Sequence, residues 1–268
     1  EVGNLSTVST NSLESDAGTD DLRGDINADW ASPRPVGPPG TSPIPGAFFM
    51  REEPMGRVAF LVDGFNLYHS LVAAREPLTA DPIVKWLDLR ALCAYALSRL
   101  DPAGTLGPIH YFSALAKHRQ RKDSTIVARH TAYIRCLEAS GVTVELGAFK
   151  QKSPRQCRCG QWVSMGHEEK ESDVALGVRL VELFVRDKAD AAVILSGDSD
   201  VMAAVRCARD LRPGRPIYAC FPYKRHGKEL RDSADGHVDL AKESYAKLQL
   251  PNPFVLPNGK TVAKPASW

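Results

Sequence analysis

Three aspartates stand where buried strands should end. Residues 58–62 (Val-Ala-Phe-Leu-Val) are apolar without interruption and run into Asp63. Residues 191–195 (Ala-Ala-Val-Ile-Leu) run through Ser196-Gly197 into Asp198 and Asp200. Continuous apolar runs of this length read as strands covered on both faces. In an open parallel sheet, ligands bind beyond the carboxyl ends of the strands. If these two strands are neighbours, Asp63, Asp198 and Asp200 meet there. Like charges so close are costly unless a cation neutralises them, and carboxylate oxygens are ligands for Mg²⁺ or Mn²⁺. A fourth acid, Asp173, closes the segment Glu168-Glu169-Lys170-Glu171-Ser172-Asp173, read as the start of a helix over 168–186. It could project toward the same point from another element. Acids also suit the first turn of a helix through the dipole alone, and that is the preferred reading of Glu168, Glu169 and Glu171.

The elements needed to place these acids alternate between strand and helix. After the first strand, Gly64 is read as giving a tight turn and Asn66 as capping a helix over 67–74. A loop is expected over 77–82, helices over 87–100, 120–140, 201–210 and 227–234, and further strands over 108–112, 142–146 and 216–221. Residues 147–166, with Lys150, Lys152, Arg155, Arg158, Cys157, Cys159 and Trp162, break this rhythm and are read as a hairpin excursion. Asn258-Gly259 between apolar residues signals a second hairpin near the end. The expected fold class is α/β, a three-layer, Rossmann-like arrangement with a mostly parallel sheet of about five strands.

Composition narrows the class further. Residues 1–54 are rich in Ser, Asp, Gly and Pro, with six prolines between 33 and 45. They lack the apolar surface to order themselves and are read as a disordered leader. The chain opens with Glu, and Met50 or Met55 stands just upstream of the first strand, so the leader is expected to be dispensable. Residues 1–56 hold nine acids and three bases, a charge of −6. The total is +2, so the remainder carries +8, a balance that suits a polyanionic partner or an ordinary charged surface. No apolar stretch reaches membrane-span length and no signal peptide opens the chain, so a cytoplasmic protein without membrane contact is expected. The six cysteines are read as reduced thiols. Cys157-Arg158-Cys159 with His167 leaves a zinc site conceivable, with two free thiols on a hairpin preferred.

Three segments taken in order resemble the NYN domain family of the PIN-like nuclease superfamily: Val62-Asp63-Gly64-Phe65-Asn66-Leu67-Tyr68, Glu169-Lys170-Glu171-Ser172-Asp173-Val174-Ala175-Leu176, and Leu195-Ser196-Gly197-Asp198-Ser199-Asp200. The resemblance covers about residues 55–245, leaving a tail over 246–268. Residues 251–268 resemble a segment that accompanies some bacterial members. Glu171-Ser172 departs from the Gly-Val pair common at that place, while Lys170 and Asp173 are kept. The resemblance implies a fold with the 191–195 strand beside the first. It also implies an acidic site that binds Mg²⁺ or Mn²⁺ and hydrolyses phosphodiesters, mostly in RNA. Carried over residue by residue, Asp63, Asp173, Asp198 and Asp200 would hold the metal. Asn66 would assist, and Ser196 would position the loop. Residues 230–235 resemble the family's closing pattern, and Asp235 is read as capping a final element.

Such a site would run an in-line displacement by metal-activated water. Basic residues following strand ends would hold the strand: Lys117, Arg119, Arg121 and Lys122; Lys150, Lys152, Arg155 and Arg158; Lys224, Arg225 and Lys228. Tyr223 or Trp162 could stack on an unpaired base. The rival readings are fewer. A haloacid-dehalogenase-type phosphatase needs an acid two residues after the first, where Phe65 stands. A nucleotide-binding domain needs a glycine-rich phosphate loop, and neither common form occurs. A non-catalytic RNA-binding or regulatory module on the same fold is the serious alternative. A homo-oligomer is left open. A chain starting at Met50 is expected to fold and keep its activity, which thermal unfolding and an RNA-cleavage assay would check.

Overall fold

The parity of side chains along the first strand decides which face each functional residue joins. In the computed structural model, which describes residues 56–75, 84–160, 162–163 and 166–268, β1 spans Arg57–Asp63. Val58, Phe60 and Val62 point into one apolar core, and Ala59 and Leu61 into another on the opposite face. By the same alternation Asp63 falls on the second face. The leader over 1–54, the Met50 or Met55 start and the 77–82 loop lie outside the described residues. All described residues fall in one compact unit.

The chain continues through α1 (Gly64–Ala74), α2 (Leu89–Leu100), β2 (Thr105–Ala114), a 3₁₀ turn (Lys117–Arg119), α3 (Ile126–Ala139) and β3 (Val142–Gln151). Two short strands, β4 (Arg155–Gln156) and β5 (Trp162–Val163), precede β6 (His167–Lys170) and α4 (Ser172–Val185). Then come β7 (Ala191–Leu195), α5 (Met202–Leu211), β8 (Ile217–Phe221), α6 (Lys228–Ser233), β9 (His237–Asp239) and α7 (Lys242–Lys247). The hairpin of β10 (Phe254–Val255) and β11 (Thr261–Val262) follows. The central sheet has the order β6-β3-β2-β1-β7-β8-β9, parallel except for β6 against β3. Helices α1, α2 and α3 cover one face, α4 and α5 the other. This is the three-layer α/β class read from the sequence, with all five expected strands present.

Several local readings are corrected. The sheet has seven strands, because β9 offers a single buried apolar residue, Val238, and β6 reads His-Glu-Glu-Lys. Neither gives an apolar run to detect. Residues 147–151 extend β3, so the excursion starts at Lys152 and its hairpin is β4 with β5. Glu168 and Glu169 lie in a strand, so the helix dipole does not explain them. Cys157 and Cys159 form a disulfide, so those sulfurs are neither free thiols nor available as zinc thiolates. Cys93, Cys136, Cys207 and Cys220 are free, as expected. Asp235 does not cap the final element. Its carboxylate accepts from the Ile217 N–H and from Arg209, each at 2.8 Å, and pins the start of β8.

Gly64 is required for close approach rather than for a turn. A Cβ there would stand 2.5 Å from the Phe112 carbonyl oxygen and 2.6 Å from the Tyr111 ring. Gly64→Ala is therefore expected to destabilise the chain by about 1–3 kcal/mol, read as a lowered urea midpoint at an unchanged slope.

Candidate active site

Asp63 ends β1 and at the same time caps α1. Its Oδ1 accepts the Asn66 backbone N–H at 2.9 Å, so the cap is Asp63, and Asn66 serves another purpose. The Asn66 side-chain oxygen accepts from the Gly197 N–H at 3.2 Å. Asp63 Oδ2 accepts from the Ser196 hydroxyl at 2.8 Å, and the same hydroxyl accepts from the Asp198 N–H at 3.0 Å. The Asp200 N–H then donates to Asp198 Oδ1 at 3.1 Å. β7 pairs directly with β1, Val62 beside Leu195, so the two strand ends lie side by side as the sequence implies. Ser196 is fully buried and Asp63 is 7% exposed, so this tie is shielded from solvent.

Burial raises the Asp63 carboxyl above its ordinary range. The Asn66 N–H and the Ser196 hydroxyl pull it back, and the Asp198 charge raises it again. Asp173, in the first turn of α4, is raised by desolvation and then by the charges of Asp63, Asp198 and Asp200. The charges of the four predicted acids, carried on three elements, therefore act on one another. Among the described residues, no three His, Cys, Asp or Glu side chains stand close enough to hold a single ion. The donor chemistry nonetheless fits a hard divalent cation. All four groups offer carboxylate oxygens, and those of Asp63 keep lone pairs beyond the two hydrogen bonds they accept.

Of the basic candidates, Arg225 reaches the site. A Cβ on Gly197 would lie 2.9 Å from the Arg225 carbonyl carbon and 3.0 Å from its Cβ, so the two loops touch backbone to backbone. The Arg225 Nε is buried and has no hydrogen-bond partner among the described residues. Its loop is held by Tyr245, whose hydroxyl accepts the Tyr223 N–H at 3.0 Å. The Ser70 hydroxyl donates to the Tyr223 carbonyl at 2.7 Å, which leaves Tyr245 to donate to Ser70 at 2.8 Å. Lys224 in the same loop has φ +57°, and Glu171, the cap of α4, has φ +83°. Both are left-handed non-glycine residues next to site residues, where such strain tends to gather. Lys150 pairs with Glu171 at 3.4 Å. The Lys152 N–H is bonded to the Gly166 carbonyl at 2.9 Å, at the base of the excursion. Arg155 and Arg158 are exposed on the excursion, as is Trp162, and Lys228 is exposed at the start of α6. Among the described residues, no hydrogen bond or ion pair joins these four to the acids.

Sequence reading missed His69. Burial and then the Arg225 charge lower its pKa, and the Asp63 charge raises it. Its place one helical turn after Phe65 was a usable signal, since residues four apart share a helix face. Tyr245 and Ser70 gave no signal, because they act through tertiary contacts alone.

These features define a three-layer α/β domain, and the family comparison agrees with that fold. The chain belongs to the NYN domain family, which it matches over residues 57–241. NYN domains are generally nucleases, and the fold here is nuclease-like. The chain is 31% identical over 123 residues to 6-hydroxy-3-succinoylpyridine 3-monooxygenase HspA of Pseudomonas putida, a match that covers 44% of this chain and 38% of that protein. It is also similar to a solved protein of unknown function, VPA0982 from Vibrio parahaemolyticus. That likeness has 19% identity and a TM-score of 0.41, and covers 72% of this chain and 97% of the other. No described helix is long and apolar enough to cross a membrane.

The raised Asp173 carboxyl fixes a sign. Stability linked to it is fully present below the ordinary carboxylate value and is lost as pH rises through the raised one. Asp173→Asn removes that loss. In EDTA the variant and the wild type should melt together near about pH 4, and the variant about 1–3 °C higher near neutral pH.

Proposed function

We propose that this chain is a divalent-metal-dependent ribonuclease that hydrolyses phosphodiester bonds. The observation that carries the reading is the gathering of Asp63, Asp173, Asp198 and Asp200 beside an arginine whose buried Nε lacks an acceptor. Asp63, Asp173, Asp198 and Asp200 would hold Mg²⁺ or Mn²⁺. The ion, when bound, would supply an activated water and neutralise charge on the reacting phosphate. Asp63 is fixed for that role by its two hydrogen bonds, which prevent rotation of the carboxylate. Asn66 and Ser196 set the height of the 196–200 loop, and with it the positions of Asp198 and Asp200. Arg225, whose loop touches Gly197, would supply its guanidinium to a phosphate oxygen, a charge-assisted contact. RNA is the proposed partner, its backbone attracted by the net positive charge of the chain beyond the leader. Lys150, Lys152, Arg155, Arg158, Lys224 and Lys228 would add backbone contacts along its path.

A second reading, an RNA-binding or regulatory module without cleavage, is favoured by the spacing of the carboxylates, since no three of those described converge on one point. The oxygenation named in the Pseudomonas putida relative belongs to a protein of which this chain spans 38%. No group in the site described here is assigned to that chemistry.

Cleavage of single-stranded and structured RNA should require Mn²⁺ or Mg²⁺ and stop with EDTA. Asp63→Asn and Asp198→Asn should reduce it to background with an unchanged circular dichroism spectrum. Arg225→Ala should weaken RNA binding about ten-fold or more. RNA bound but uncut in every metal would establish the second reading.

A further inference from the structure

A cavity of about 360 Å³ opens beside the site, on the other face of the sheet. Gly64 and Phe65 form part of its wall, so it begins one residue after Asp63, and Ser113 and Ala114 place it at the carboxyl end of β2. Its volume is that of a small-molecule pocket. The rest of the wall is rich in aromatic rings. Phe149 lies 6.3 Å from Phe65 and 4.7 Å from His118, and Trp268 lies 5.6 Å from Tyr133, all edge to face. Phe65 and Tyr68 on α1 are 45% and 39% exposed, so these large rings serve the opening more than the core.

The charge of the wall has one sign. Lys85, Arg119 and Arg129 line it, and no Asp or Glu does. Arg129 is neutralised by Asp123, yet its Nε is buried without an acceptor. Lys85 stands over the Tyr68 ring at 5.2 Å, and neither it nor Arg119 has a carboxylate partner among the described residues. Burial lowers the pKa of His130. A ligand matched to such a wall is planar and π-rich, and carries negative charge at its edge.

We propose that this cavity is a nucleobase pocket that takes one unstacked base, with the attached phosphate on Lys85 and Arg119. That the base is the one beside the cut rests on the ribonuclease reading above. A strand crossing the carboxyl ends of β1 and β2 would then place a phosphate over Asp63 while the neighbouring base turns into the aromatic wall. Stacking tolerates every base, since each has a π face, so the pocket would select unpaired positions rather than a sequence.

The test separates the pocket from the cleavage. The four nucleoside 5′-monophosphates are titrated in EDTA, with calorimetry and tryptophan fluorescence as readouts, into the wild-type chain, Asp63→Asn, Ala116→Trp, which fills the cavity, and Arg119→Glu, an exposed change of charge alone. Wild type and Asp63→Asn should bind alike, and the other two at least about ten-fold more weakly. With Mn²⁺, an oligoribonucleotide carrying one abasic residue should lose cleavage at the adjacent phosphate about ten-fold in the wild type and not in Ala116→Trp. Nucleotide binding lost in the cavity variants, without cleavage by any chain, would uphold the pocket and overturn the ribonuclease reading. Cleavage that ignores both the abasic residue and the cavity variants, with no nucleotide binding, would overturn the pocket and leave the ribonuclease reading standing. Nicotinate bound as tightly as the nucleotides would also overturn it, in favour of a site for small aromatic acids.

Discussion

The hydrogen bond from the buried Ser196 hydroxyl to Asp63 holds the site together. It joins the ends of two strands that are already paired, and it does so where water cannot compete. Because the same hydroxyl accepts from Asp198, one oxygen fixes the spacing between the first acid and the acidic loop. Asn66 and Gly197 add a second tie between the same two segments. Everything on the carboxyl edge is positioned relative to this joint. Asp173 stands in the first turn of α4 and is acted on by the charges of the other three acids, and Arg225 lies against Gly197 from the loop after β8.

The joint works against the charges it organises. Burial disfavours an ionised Asp63, and Asp198 makes this worse. Asp173 is disfavoured by desolvation and by the other three acids. A core built for stability alone would not set Asp63, Asp198 and Asp200 at the ends of two buried strands with Asp173 acting on them from a third element. The cost is tolerable because the sheet beneath is continuous: every residue of β7 and all but the first of β1 are buried. Rigid strands thus carry an edge that is poorly balanced without a positive partner.

Much of this was legible before any coordinates. Two apolar runs ending in acids were enough to place Asp63 near Asp198 and Asp200, because strand parity and parallel pairing leave few alternatives. The order of elements gave the layered fold for the same reason. What was not legible depends on contacts between distant segments. Asn66 looks like a cap, and only the 196–197 loop shows that its side chain reaches across while Asp63 does the capping. Gly64 looks like a turn residue, and only the approach of β2 shows that it must be small. The short strands β6 and β9 carry no run of apolar residues, so nothing in their residues marks them as strands. The bond between Cys157 and Cys159 joins residues two apart, a closeness that discourages reading them as a pair.

Those two short strands also settle how the sheet ends. β6 has four residues, with the sequence His-Glu-Glu-Lys, and β9 has three. An edge so brief, and on one side so charged, gives an incoming strand few backbone groups to pair with. The apolar middle of the sheet, rich in the residues that aggregate when exposed, is thereby fenced on both sides. The protein can keep an extended, sticky centre and still resist growing into ribbons with its own copies.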